Sequence, residues 1–315
     1  MMGPENHTFN SDFILLGLFA SSPKGLIFFS FVVIIFIMTV AENSVMIILI
    51  HRESRLHTPM YFLLRHLSFM DILHISNIVP KMITDFLSGN RTISFAGCGF
   101  QIFLSLTLLG GECLLLAAMS YDRYVAICHP LRYPILMSDC VSILMAGGSW
   151  LIGIVNSIVH TAYTLHFPFC GSRAIDHFFC EVPAMLVLSC VDTTHYEGGV
   201  YVSGIIFLLV PFSLIFASYV QILLIVFQMK SSESRKKSFS TCFFHLIVVI
   251  MYYGPFIFTY MRPKKYHTPG QDKFLAIFYT ILTPSFNPII YSIRNKDVLE
   301  AMKNMIKSNF LHKKL

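Results

Sequence analysis

This 315-residue chain has little charge: Asp, Glu, Lys and Arg make up 13% of it, about half the share found in an ordinary soluble domain. With 55% hydrophobic residues and a mean hydropathy of +0.66, it has too few charges to cover a water-facing surface. The same hydrophobicity excludes a disordered chain. Other absences narrow the function. No nucleophile–base pair or metal constellation stands out, so an enzyme is not expected. No internal repeat and no pair of broken helices points to a transporter, and no nucleic-acid partner is expected. Residues 1–25 lack a basic start followed by an apolar stretch. No cleavable signal peptide is therefore expected, and the first span should act as its own insertion signal. The tail has no cysteine, which excludes palmitoylation there.

What is present is long apolar segments. Thr92–Gly111, Cys140–Ser172, Gly198–Met229, Ser238–Met261 and Phe274–Ile293 each lack any charged residue, and a spanning helix needs about 20 predominantly apolar residues. Two more segments carry isolated charges: Leu26–Ile50 holds Glu42, and Pro59–Phe86 holds Arg65, Asp71, Lys81 and Asp85. The expected fold is an all-α membrane protein, a seven-transmembrane helix bundle. Residues 1–25 form an extracellular N-terminus, 26–292 the transmembrane domain and 293–315 a cytoplasmic tail. Orientation follows the basic residues. With the N-terminus outside, the inner loops and tail hold 14 Lys/Arg against 7 on the outer side. The sequons at Asn6 and Asn90 then both lie outside. In the tail, Val298, Met302, Met305, Ile306 and Phe310 recur at helical spacing beside Lys303 and Lys307. This predicts a short amphipathic eighth helix on the inner leaflet, drawn to anionic lipid.

Of eight cysteines, Cys98, Cys170, Cys180 and Cys190 fall at or outside the outer membrane edge, in an oxidising compartment. Four cysteines allow three pairings, and spacing does not choose among them. The loop from about His166 to Glu197 is long and acidic, and with two staples it should fold as a cap.

Span three ends in Met119-Ser120-Tyr121-Asp122-Arg123-Tyr124-Val125-Ala126-Ile127-Cys128-His129-Pro130. Asp122 and Arg123 read either as snorkelling interface charges or as a lock in which Asp122 holds Arg123 until activation. This segment resembles the third-helix signature of the olfactory receptors, a branch of the rhodopsin-like G-protein-coupled receptors, in their class II tetrapod form. Leu56-His57-Thr58-Pro59-Met60-Tyr61-Phe62, Ser240-Thr241-Cys242 with His245, and Asn287-Pro288-Ile289-Ile290-Tyr291-Ser292-Ile293-Arg294-Asn295 match other segments of that family. The resemblance runs from about Asn6 to Lys307. Glu42, Ser120, the Phe243–Phe244 pair and Thr283-Pro284-Ser285-Phe286 depart from its pattern.

The resemblance implies a receptor for small odorants in the plasma membrane of olfactory cilia, coupled to a Gs-type olfactory G protein that raises cAMP. The alternative is a non-olfactory rhodopsin-like receptor for a small lipid-like ligand. It implies Cys98–Cys180 and Cys170–Cys190 bonds. It makes Asp122, Arg123, Tyr124, Tyr219, Asn287, Pro288 and Tyr291 the coupling switch. Asp71 and Glu112 lie mid-span, where an acid needs a partner or a proton. The resemblance gathers them with Asn43 and Asn287 as a sodium or proton site. It also puts the ligand between the outer halves of spans three, five and six, where helical spacing selects Ser105, Leu106 and Leu109; Ser203, Ile206 and Phe207; and Tyr253, Phe256 and Tyr260, with Thr280 closing the set. The set has hydroxyls but no acid, so the expected ligand is small, neutral and mostly apolar, bound weakly, near micromolar. A metal is not expected: in His177-Phe178-Phe179-Cys180-Glu181 a disulfide-bonded Cys180 has no thiolate to offer copper.

Overall fold

The structure is a computed structural model and describes residues 12–18, 23–228, 231–293 and 298–303, with the side chains of a few positions, 291–293 among them, outside that description. Seven long helices form a bundle. Spans one to four are Pro23–Arg52, Pro59–Ser88, Phe95–Cys128 and Asp139–His166. Span five runs over Thr194–Gln228, span six over Ser232–Tyr260, and span seven over residues 269–293. Six of them are long and apolar enough to cross a membrane. Pro59–Ser88 is equally long but less apolar, because Arg65, Asp71, Lys81 and Asp85 and three histidine and asparagine positions interrupt it. It resolves the conflict by burying Asp71, pairing Lys81 with Asp85 one turn on and stacking Arg65 over Phe62.

Span three is the central column. It packs against spans two, four and five, and 78% of its most apolar stretch is buried, against 11% for span one, most of whose side chains face outward. Close approach to span four depends on Gly153: a Cβ there would sit 2.6 Å from the Thr107 carbonyl. Small residues let membrane helices pack at such range. Local signals set the helix starts. The Ser94 hydroxyl accepts from the Gly97 N–H at 3.0 Å and caps span three, which satisfies one of the orphan donors at a helix N-terminus. Pro59 occupies the first turn of span two, where its missing N–H costs nothing.

Two spans are not regular. Ile205–Leu209 in span five and Phe278–Leu282 in span seven are π-helical, a feature found mostly as single turns at functional sites. The extra residue in the turn shifts every side chain beyond it around the helix.

Outside the spans, Phe13–Leu15 pairs antiparallel with Thr92–Ile93 and parallel with Ala174–Ile175, so a three-stranded sheet joins the N-terminal segment, the first outer loop and the cap. The Arg91 guanidinium donates to the Leu16 carbonyl at 2.6 Å across this sheet. Two disulfides fix the cap: Cys98–Cys180 ties it to span three, and Cys170–Cys190 closes it on itself. At the inner end, residues 298–303 are helical. Val298 and Ala301 are buried, and Arg55 meets Glu300 at 3.3 Å. Met305, Ile306 and Phe310 of the expected amphipathic helix lie outside the described residues, as does the sequon at Asn6.

Candidate functional site

Beneath the cap the bundle holds a partly open cavity; the empty space between its lining residues, open mouth included, is about 440 Å³. Span three contributes Leu106, Leu109 and Gly110; span four Asn156 and His160; span five Val200, Ser203, Gly204, Phe207 and Leu208; span six Phe256 and Tyr260; and Val182 of the cap closes it. No carboxylate, ammonium or guanidinium lines it.

Six of the ten residues selected by spacing meet here: Leu106, Leu109, Ser203, Phe207, Phe256 and Tyr260. Ser105, Tyr253 and Thr280 are buried outside its lining, each engaged with protein. Ser105 Oγ accepts from Asn77 Nδ2 at 3.0 Å, Tyr253 donates to the Cys113 carbonyl at 2.8 Å, and Thr280 donates to the Ala276 carbonyl at 2.6 Å. Ile206 requires a correction. Regular α-helical spacing would align it with Ser203 and Phe207, but it is 51% exposed while Phe207 is buried. The cause is the π turn: four residues on, Phe207 still lies over Ser203, whereas three residues on, Ile206 has swung to the outer face.

The polar edge of the cavity comes from span four, which spacing arguments on spans three, five and six overlooked. Asn156 and His160 are one turn apart inside an otherwise charge-free segment, and that pair was the available signal. Ser203 Oγ lies 2.6 Å from His160 Nε2 and 3.1 Å from Asn156 Oδ1. Behind them Tyr196 OH is 3.0 Å from His160 Nδ1, 2.8 Å from Thr164 Oγ1 and 3.0 Å from the His160 carbonyl.

The cap is held to the bundle by polar bonds as well as by sulfur. The Cys180 N–H donates to Gln101 Oε1 at 2.8 Å, and Gln101 Nε2 donates to the Asn77 carbonyl at 3.0 Å. Two titratable cap residues are fully buried. Tyr279 of span seven donates to Glu181 Oε2 at 3.0 Å, and His177 Nε2 sits 3.2 Å from Glu181 Oε1. Burial pushes Glu181 up to about 8 and His177 down to about 3, because removal from water disfavours both charged forms. Among the described residues no three of His, Cys, Asp and Glu gather in a way that could hold a metal.

Deeper in the bundle Asn287 Nδ2 donates to both oxygens of Asp71, at 3.2 and 3.0 Å. Glu112, within electrostatic reach of Asp71, lies 3.2 Å from His74 Nδ1. His74 was not foreseen, although its place one turn after Asp71 was visible. Asn43 Nδ2 donates to the Pro284 carbonyl at 3.1 Å. Asn43 Oδ1 and Asn287 Oδ1 are buried without a hydrogen-bond partner among the described residues. The same holds for Oε2 of Glu42, and nothing in the structure explains that residue.

At the inner end the lock has a different keeper. Tyr133, in the loop after span three, donates to Asp122 Oδ1 at 2.7 Å; burial first, and then this bond, raise its hydroxyl above the usual phenol range. Asp122 and Arg123 form no direct ion pair among the described residues, since neighbours on a helix do not face one another. Arg123 Nε is buried without a hydrogen-bond partner among the described residues and acts electrostatically on Cys242 and His245 of span six. Tyr219 is buried with its ring 6.2 Å from His245, and Tyr124 OH meets His129 Nε2 at 3.1 Å. Pro288 lies within the last helix of span seven; the side chain of Tyr291 lies outside the described residues. Asn90 is exposed, and its Oδ1 accepts from the Thr92 hydroxyl at 2.8 Å.

Residues 30–309 match the family described as olfactory receptor. The chain is 79% identical over 314 residues to human olfactory receptor 2AJ1, covering 100% of this chain and 96% of that relative. It is 57% identical over 293 residues to human olfactory receptor 2L8, covering 93% and 94%, and 52% identical over 305 residues to human olfactory receptor 2T27, covering 97% and 96%.

Proposed function

This chain belongs to the olfactory receptor family, a family of multi-pass membrane receptors and not of enzymes, and on that basis we propose what it binds and how it signals. The ligand is a small, neutral, mostly apolar odorant held in the cavity between spans three and six. One observation carries this reading: the cavity has an apolar lining with an uncharged polar edge and no ionised partner for a cation. A small odorant has few heavy atoms to contribute binding energy, so binding is weak, near micromolar.

The N-terminus faces outward with a glycan at Asn90, and the C-terminus faces the cytoplasm of the sensory cilium. A ligand acts through its differential affinity for two states of the bundle. Contact with Phe256 and Tyr260 favours an outward position of span six. Arg123, Tyr219 and Tyr291 then rearrange, and a Gs-type G protein binds and raises cAMP. A sodium ion near Asp71 stabilises the resting state; the orphan amide oxygens of Asn43 and Asn287 support it.

Expression in a cAMP reporter line, screened with a diverse odorant panel, tests this function. Neutral odorants should raise cAMP. Cationic amines as the best agonists would overturn the ligand class, and a neutral-odorant response through another second messenger would overturn the coupling. For the ion, loss of sodium sensitivity in Asp71→Asn is the expected outcome, and unchanged sensitivity would exclude it.

A further inference from the structure

The hydrogen-bond chain at the edge of the cavity has a direction, and the direction selects a ligand. Tyr196 has one hydroxyl proton and three neighbours within reach: the His160 carbonyl at 3.0 Å, His160 Nδ1 at 3.0 Å and Thr164 Oγ1 at 2.8 Å. A carbonyl has no proton to give, so that contact is attractive only if the phenol donates to it. The proton spent there, Tyr196 must accept from the other two, which matches the two lone pairs of its oxygen. His160 therefore carries its proton on Nδ1, and its Nε2 is an acceptor. Ser203, 2.6 Å away, donates to Nε2 and has no second proton for Asn156 Oδ1 at 3.1 Å. The side-chain amide of Asn156 satisfies Ser203 Oγ only by turning over to present Nδ2, an exchange of near-isosteric atoms. That turn leaves Oδ1 of the half-buried Asn156, a residue of the cavity lining, as an acceptor without a donor among the described residues.

We propose that this cavity is built for an aliphatic alcohol, whose hydroxyl proton is taken by Asn156 Oδ1 while its apolar chain lies against Leu106, Leu109, Phe207 and Phe256. The proposal rests on the cavity being the ligand site. A hydroxyl donates to Oδ1 and also accepts from any free amide N–H. An aldehyde, ketone or ether only accepts and leaves Oδ1 unpaired, and a site with an unmatched buried polar group discriminates against the analogue that lacks the match. Asn156 is the specificity-determining residue. His160 is a positioning residue that sets the polarity of the chain without itself meeting the hydroxyl.

The test uses the full-length receptor and three probes of nearly equal size: octanol, octanal and methyl heptyl ether. Ligand-induced thermal stabilisation of solubilised receptor is read beside signalling in cells. In the wild type octanol should act at about tenfold lower concentration than the other two, the effect of one hydrogen bond. Asn156→Leu should bring octanol to the level of octanal and leave the ether unchanged, with surface staining as the control for folding. If that variant fails to reach the surface, Ser203→Ala should narrow the same preference. His160→Phe frees the Ser203 proton and should favour octanal relative to octanol, a reversal that loss of packing alone would not produce. Val200→Trp, filling the cavity from its half-exposed side, should abolish all three responses. Octanal or the ether matching octanol in the wild type, or a preference that survives Asn156→Leu, overturns the proposal while the cavity stands. An octanol response that persists in Val200→Trp overturns both the proposal and the cavity as the ligand site.

Discussion

The two ends of span three are held in opposite ways. At the outer end Cys98 is covalently bound to the cap, Gln101 bonds both cap and span two, and a three-stranded sheet covers the junction. At the inner end, among the described residues, one side-chain hydrogen bond from Tyr133 holds Asp122, and Arg123 Nε has no hydrogen-bond partner. Cys98 and Asp122 are both buried, but only the outer end is over-determined. A receptor needs this asymmetry. A rigid cap gives the ligand a fixed wall to push against, and a lightly held inner end can change state for the few kcal/mol a small ligand supplies.

The contrast can be broken or sharpened by mutation. The largest effect is expected from Cys98→Ser or Cys180→Ser. Their bond spans 82 residues of sequence, and the chain-entropy account assigns such a loop about 4–5 kcal/mol. Surface receptor should be lost, read by immunostaining and by thermal unfolding in detergent. Cys170→Ser, releasing a separation of 20, should cost less, about 3 kcal/mol. Arg123→Ala should abolish agonist-driven G-protein activation with surface staining retained; signalling that survives would remove Arg123 from the switch. Tyr133→Phe deletes the one side-chain hydrogen bond that Asp122 makes among the described residues, a change of roughly 1–3 kcal/mol, and should raise ligand-free signalling several-fold. If it instead lowers surface receptor as the cysteine variants do, the inner end is as structural as the outer and the contrast fails.

A further effect is a pH dependence of the cap. Glu181 is raised from 4.5 to about 8, so the folded form holds a proton that the unfolded form releases; stability falls as pH rises from near 4.5 to about 8. His177 is lowered from 6.5 to about 3, so its contribution falls as pH drops below 6.5. Glu181→Gln should flatten the alkaline side of the stability profile and leave the acidic side in place, measured by thermal unfolding across that range.

Much of the architecture was legible because a bilayer demands it. Segments such as Gly198–Met229 and Ser238–Met261 could be little else but spans, and helices occupy Thr194–Gln228 and Ser232–Tyr260. Hydropathy was weaker at the ends. The segment Thr92–Gly111 stopped well short of Cys128, because Glu112 interrupts the apolar pattern although its burial beside His74 keeps the helix intact. The segment Cys140–Ser172 ran past the end of span four at His166, because the apolar residues that follow enter the cap. The strand at Phe13–Leu15 had no local signal, since its partners lie in two distant loops.

The cavity was legible only in part, for a geometrical reason. Helical spacing says which residues share a face, but it assumes a regular helix and does not say which face meets a neighbour. Ile206 failed on the first point and Asn156 and His160 were missed on the second. The sequence by itself determined the solvent of this protein, the number of its spans, its family and the absence of charge from the expected ligand set. Those follow from composition and from short motifs read locally. The tertiary structure alone decided that Tyr133 rather than Arg123 holds Asp122, that His74 faces Glu112, and that a chain from Tyr196 through His160 and Ser203 reaches Asn156. Each is a contact between distant parts of the chain, and the proton on each hydrogen bond is assigned only when all the neighbours are in place.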